Sequence, residues 1–260
     1  MLLNYQLKQA AKHELANKNE IIFIIHGLFG SLSNLSSLAK ELQADFDVVL
    51  VDVRNHGQSP RNSSMTYQEM AEDIFELADS LNIDQFSVLG HSMGGKIAMT
   101  CALQQPQRIK RLVVADIAPF AYGNRHSDVF AGLQAVRSLN AKNRTEAEKI
   151  LADYVETPEV RQFLLKSYQR GEDSFKFVYD VENLHNNYHL ISGWPEQSST
   201  FQQTALFIKG ERSDYINEQS INSVMTLFPN AKLKIIKDTG HWLHAEKPKT
   251  FNRLVISFFA

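Results

Sequence analysis

Phe86-Ser87-Val88-Leu89-Gly90-His91-Ser92-Met93-Gly94-Gly95-Lys96 begins as a short apolar run and ends on a glycine pair that leads into a helix-forming segment. Phe86 to Leu89 has the length and composition of a strand buried on both faces. Lys96 to about Gln104 is rich in helix formers, and Pro106 stops the run. Between them, Gly90-His91-Ser92-Met93-Gly94 fits the G-x-S-x-G pattern of a sharp strand-to-helix turn. Bulky flanking side chains would collide with the neighbouring strand and helix, so glycines are needed there. The serine between them is held in strained geometry with its Oγ exposed. In an α/β sheet that position is the carboxyl edge of the strands, where ligands bind. The helix N-terminus behind it favours developing negative charge.

The same alternation continues on both sides. Upstream, Ile21 to Ile25 reads as a buried strand ending at His26-Gly27, followed by a helix near Asn34 to Gln43. Val48 to Val51 is the next strand, closed by Asp52 and the turn-rich segment Arg54 to Pro60. Thr66 to Leu81 reads as a helix, with Thr66 and Glu69 spaced as a capping box. Leu2 to Leu7 and Lys12 to Ala16 suggest a weak leading hairpin. Downstream, Leu112 to Ala115 is a strand ending at Asp116. Short apolar runs alternating with helix-period segments predict an α/β fold with a mostly parallel sheet.

Between about Phe120 and Ser199 this rhythm gives way to helical patterns at Ala131 to Leu139, Thr145 to Tyr154 and Pro158 to Tyr168. It resumes with Ala205 to Ile208, a helix from Glu218 to Leu227, the strand Leu233 to Ile236 and a last helix from Pro248. The expected organisation is a core formed by residues 1–119 and 200–260, with a helical cap over 120–199.

Bulk properties exclude several classes. At 260 residues, 43% hydrophobic and 22% charged, the chain is an ordinary globular one with a formal net charge of −2. No basic excess points to nucleic acid or to a polybasic membrane anchor. No stretch has the length of an apolar membrane span, and the start Met1 to Lys8 lacks the pattern of a secretory leader, so cytoplasm is the expected compartment. The one cysteine, Cys101, reads as a packed core thiol. Neither a metal-ligand cluster nor a cofactor motif is visible, and no feature specifies an oligomeric state.

A serine hydroxyl is a weak nucleophile and needs an adjacent base. Of nine histidines, His241 is the candidate, because Thr239-Gly240-His241-Trp242 directly follows the last expected strand, at the same sheet edge as Ser92. His244 is expected to supply a hydrogen bond or packing, His91 to be structural, His26 to brace loops and His56 to lie in a turn. Donors for an oxyanion are the N–H groups of Met93 and of Leu28, the latter in His26-Gly27-Leu28-Phe29-Gly30. Two carboxylates compete to orient the imidazole. Asp214 follows the strand where such a fold most often keeps its acid, but the usual spacing from the glycine falls on Ser213. Asp116 ends the preceding strand, and both keep the order serine, acid, histidine. Asp116 is preferred, with Asp214 the alternative.

Ile25-His26-Gly27-Leu28-Phe29-Gly30-Ser31, Asp52-Val53-Arg54-Asn55-His56-Gly57, Gly90 to Lys96, Asp116-Ile117-Ala118-Pro119 and Gly240-His241-Trp242-Leu243-His244-Ala245-Glu246-Lys247-Pro248 resemble the α/β-hydrolase superfamily and, within it, the bacterial YbfF-type esterases. The resemblance spans almost the whole chain, and its last two segments are more specific than the glycine-flanked serine. It implies the α/β-hydrolase fold, a central sheet flanked by helices with an inserted cap. It also implies hydrolysis of carboxylic esters, extending to acyl-CoA thioesters, and an acid at Asp116. The expected partner is a small-molecule ester or thioester. The same residues also fit a C–C bond hydrolase, a lactonase or a lyase, and a non-catalytic ligand-binding scaffold is a reading of another class. In the cap, Phe120, Tyr122, Phe130, Tyr179 and Trp194 are candidates for an apolar pocket, and Arg125 with His126 for meeting an anionic group.

Overall fold

The computed structural model describes residues 1–11 and 20–260. Its centre is a sheet of seven strands: β1 (Tyr5–Lys8), β2 (Ile21–Ile25), β3 (Asp47–Val51), β4 (Phe86–His91), β5 (Ile109–Ala115), β8 (Ala205–Gly210) and β9 (Ala231–Ile236). Their order is β1-β3-β2-β4-β5-β8-β9, with β1 antiparallel to β3 and every other pair parallel. The strand that precedes Ser92 therefore lies in the middle, between β2 and β5.

The period of two along each strand divides the core into two layers. Phe23 and Ile25 of β2, Val49 and Val51 of β3, and Phe86 and Val88 of β4 pack on one side with α2 (Tyr67–Ser80) and α3 (Met93–Gln104). Ile22 and Ile24, Val48 and Leu50, and Leu89 point to the other side, which α1 (Ser36–Leu42) and α11 (Pro248–Phe259) cover. Strands buried on both faces need apolar residues at every position, hence their continuous runs. Thr66 caps α2 as its spacing with Glu69 predicts: Oγ1 accepts the Glu69 N–H at 3.2 Å, and Glu69 Oε2 accepts the Thr66 N–H at 3.1 Å. Such a cap is worth about 1 kcal/mol.

Between β5 and β8 the chain leaves the sheet and builds a second layer over its carboxyl edge. This layer contains α4 (Ser127–Ser138), α5 (Arg144–Ala152), α6 (Pro158–Lys166), α7 (Val181–Asn186) and α8 (Tyr188–Ser192). It also holds a two-stranded hairpin, β6 (Tyr168–Arg170) with β7 (Phe175–Phe177), which the helical reading of this region did not include. After β8 come α9 (Glu218–Leu227) and, beyond β9, the short α10 (Leu243–Glu246). Of the expected leading hairpin, the first limb is β1, which pairs with β3; the second limb lies outside the described residues. The helix expected near Asn34 starts as a 3₁₀ turn, Leu32–Leu35, before α1. Among the described residues no helix is long and apolar enough to cross a membrane.

Candidate active site

Ser92 sits between β4 and α3 with φ 55° and ψ −122°, a conformation that costs a non-glycine residue about 1–3 kcal/mol. The sheet holds it there: its N–H donates to Ala115 O at 3.0 Å, and its carbonyl accepts from Gly95 and Lys96 at 2.8 and 3.1 Å. The flanking glycines are needed for space. A Cβ on Gly90 would fall 2.0 Å from Gly94 O, and one on Gly94 would fall 2.4 Å from Ile25 O.

A hydrogen-bonded chain runs from this serine to a buried carboxylate. Ser92 Oγ lies 2.9 Å from His241 Nε2, and His241 Nδ1 lies 2.8 Å from Asp116 Oδ2. Since the carboxylate only accepts, Nδ1 carries the proton and Nε2 is free to accept from the hydroxyl. Asp116 follows β5 with φ 54° and is 0% exposed. Its Oδ1 accepts the Gly210 N–H at 2.8 Å, while Oδ2 also accepts from Ser213 Oγ. His241 is fixed from two more directions: Tyr215 stacks on its ring at 4.1 Å, and His91 Nε2 donates to its carbonyl at 2.9 Å.

Asp214 is placed differently. It pairs with Arg125 at 2.7 Å and is 71% exposed, and that arginine holds its carboxyl below the ordinary range. Leu28 and Met93 both line the cavity in front of Ser92, and among the described residues neither N–H is seen donating a hydrogen bond.

His26, His56 and His91 brace the site. His26 accepts the Val53 N–H through Nε2 at 3.1 Å and donates through Nδ1 to Gly27 O at 2.8 Å. His56 is more than a turn residue: it is fully buried, donates through Nδ1 to Arg54 O and accepts the Phe29 N–H through Nε2 at 3.2 Å. Burial pushes His26, His56 and His91 below the ordinary imidazole value, which suits neutral rings in these roles. His244 packs edge-on against His91 at 4.4 Å, and its Nδ1 has no partner among the described residues.

The cavity has a volume of about 440 Å³, within the usual ligand-pocket range. Of the five aromatic residues expected to line it, only Tyr122 does; Phe130 and Tyr179, from the segment between β5 and β8, instead pack on Phe29. The apolar walls come from residues without a motif, including Val129, Val160, Phe163, Leu164 and Ile191. Arg125 and His126 do border the cavity. Arg125 is engaged by Asp214, while burial pushes His126 down to about 4, and its Nδ1 meets Tyr188 Oη at 2.6 Å.

Lys96 is a feature that sequence reasoning passed over. It is 1% exposed, borders the cavity and donates to Ser192 O and Gly193 O at 2.9 and 2.6 Å. Its ammonium lies 4.8 Å from the Tyr122 ring centre and 5.5 Å from that of Tyr67, and burial pushes it down to about 7. A lysine inside the otherwise apolar run of α3 was the available signal. Among the described residues no group of three or more His, Cys, Asp or Glu side chains is placed to hold a metal ion.

Comparison with known proteins shows the family to which this fold belongs. A family model described as the alpha/beta hydrolase fold matches residues 20–248. The chain belongs to the α/β-hydrolase family. This α/β-hydrolase is 40% identical over 256 residues to esterase YbfF of Escherichia coli, covering 98% of each chain. It is 37% identical over 246 residues to the sn-1-specific diacylglycerol lipase ABHD11 of Danio rerio, covering 91% of this chain and 77% of that one. A solved marine microorganism esterase superposes with a TM-score of 0.91 at 38% identity, covering 99% of both chains.

Proposed function

We propose that this α/β-hydrolase cleaves carboxylic esters of small to medium acyl chains through an acyl-enzyme on Ser92. The observation that carries the reading is the hydrogen-bonded chain Ser92–His241–Asp116, opening on a cavity lined by Leu28 and Met93. Ser92 Oγ bonds to the ester carbonyl carbon while its proton passes to His241 Nε2. The negative charge that develops on the carbonyl oxygen is met by the N–H groups of Leu28 and Met93. His241 then gives its proton to the leaving oxygen as the C–O bond breaks. A water molecule, losing a proton to His241, attacks the acyl carbon and releases the acid, and the proton returns to Ser92. Asp116 accepts a hydrogen bond from His241 Nδ1 and keeps the ring in the required tautomer. Residues 120–199 act as the cap that bounds the acyl cavity.

The names of the relatives support ester hydrolysis, and the same steps apply to an acyl-CoA thioester, whose leaving atom is sulfur. The test is turnover of p-nitrophenyl esters of increasing acyl length, beside matching acyl-CoA thioesters, by the wild type and by Ser92→Ala. Activity lost in the variant, together with fluorophosphonate labelling of Ser92, supports the reading, and the optimum ranks ester against thioester. Equal rates for both proteins on every substrate would remove it and favour lyase, C–C hydrolase or binding roles.

A further inference from the structure

Gly27-Leu28-Phe29-Gly30 forms a turn closed by the Gly30 N–H donating to Gly27 O at 3.0 Å. Phe29 stands third in it, at φ 63°, and its neighbour Leu28 is not among the positive-φ residues. That is the pattern of a type II turn, whose third position glycine occupies without steric cost and a ring-bearing residue does not. A strained residue of this kind persists only where its surroundings over-determine it.

The surroundings of Phe29 come mainly from the cap layer. From the core, His56 Nε2 accepts its N–H at 3.2 Å. From the cap, Ser167 Oγ donates to its carbonyl at 3.3 Å. Its ring packs on Phe130 and Tyr179, each at 5.3 Å, and on the edge of His126 at 6.1 Å. All four of these residues lie between β5 and β8, whereas the turn itself carries the Leu28 N–H.

We propose that Phe29 is a positioning residue that makes the oxyanion site depend on a seated cap. With Ser167 and the aromatic cluster in place, the turn keeps its left-handed third residue and presents the Leu28 N–H to the cavity. When those contacts are lost, the turn relaxes and the donor moves away. The inference rests on the ester-hydrolase reading above and adds to it a control of transition-state stabilisation by residues that touch no substrate. Ser167 and Phe130 do not line the cavity, and each contacts Phe29, which does.

The experiment compares wild type, Ser167→Ala and Ser167→Thr, each also in a Phe29→Gly background whose turn needs no support. The readouts are kcat and KM on p-nitrophenyl butyrate, inhibition by phenylboronic acid and melting temperature. The boronate adduct on Ser92 places an oxygen at the oxyanion site. The expected result is that Ser167→Ala lowers kcat about tenfold with KM nearly unchanged and weakens the boronate by the same factor. Ser167→Thr restores both, and in the Phe29→Gly background Ser167→Ala costs less than about twofold. A purely structural serine would cost the same in both backgrounds, and that result overturns the proposal. So does a rise in KM with kcat unchanged, or no loss in Ser167→Ala. A wild type no more active than Ser92→Ala removes the ester-hydrolase reading itself, and this proposal with it.

Discussion

Ser213 donates a hydrogen bond to Asp116 through the carboxylate oxygen that also faces His241 Nδ1. Ser213 stands where the spacing after β8 would put the acid of such a fold, and here it hydrogen-bonds to a carboxylate that comes from the end of β5 instead. A hydroxyl on that oxygen helps hold the carboxylate in place against the imidazole. Asp116→Asn is expected to lower kcat by about 10³–10⁴-fold, because the amide selects the wrong tautomer. Ser213→Ala should cost only about three- to tenfold, since the Gly210 N–H still orients Asp116. Steady-state kinetics with p-nitrophenyl butyrate check both, and KM should stay near the wild-type value in each.

Asp214→Asn provides the contrast. Its carboxylate is exposed and engaged with Arg125, an ion pair of the kind worth at most about 1 kcal/mol. The expected change in kcat is less than about threefold. If Asp214→Asn proved crippling and Asp116→Asn mild, the two carboxylates would have to exchange roles.

Glycine-to-alanine changes test the packing around Ser92. Gly94→Ala places a methyl 2.4 Å from Ile25 O, a backbone atom that cannot step aside. Destabilisation of about 3 kcal/mol or more is expected in urea unfolding. Gly123→Ala, with nothing within 4 Å of the added methyl, should be close to neutral. Equal midpoints for the two variants would contradict the crowding argument.

Lys96 gives stability a pH dependence with a definite sign. Its native value is pushed down from 10.5 to about 7, whereas the unfolded chain keeps the ordinary one. Between these values the unfolded state holds a proton that the native state has lost, so this lysine's contribution to stability increases with pH. Below about pH 7 both states are protonated and the dependence stops. Lys96→Met removes the effect. The melting temperature of wild type relative to Lys96→Met should therefore rise between pH 7 and pH 10, measured by calorimetry in matched buffers. A constant difference would mean that the two carbonyls and two rings around the ammonium keep it charged in the fold.

The parts of this molecule that could be read in advance are those encoded locally. Runs such as Ile21 to Ile25 announce strands because burial on both faces demands apolar residues at each step, and the glycines around Ser92 announce the turn because no larger residue fits. His241 was legible from its place just after the last strand. The hairpin β6–β7 was not, because three-residue strands such as Phe175–Phe177 are too short to display a period. Nor could sequence reveal the partners of His56 and Ser167, since both meet Phe29 across long stretches of chain. The aromatic residues of the cap were visible as residues, yet only tertiary packing decides that Tyr122 faces the cavity while Phe130 and Tyr179 face Phe29.

Drawing the carboxylate from β5 redistributes design freedom across the molecule. Ser92 and Asp116 leave adjacent strands that are paired in register at His91 and Ala115, so the sheet ladder itself sets the span between them. The segment from Glu211 to Ile216 then supports the histidine and the carboxylate instead of supplying an acid: Ser213 donates to Asp116 and Tyr215 stacks on His241, while Asp214 is exposed and pairs with Arg125. Within that segment Asp214, not Ser213 or Tyr215, is the place for substitution. Selectivity is open to change there while the Ser92–His241–Asp116 chain stays anchored in the sheet.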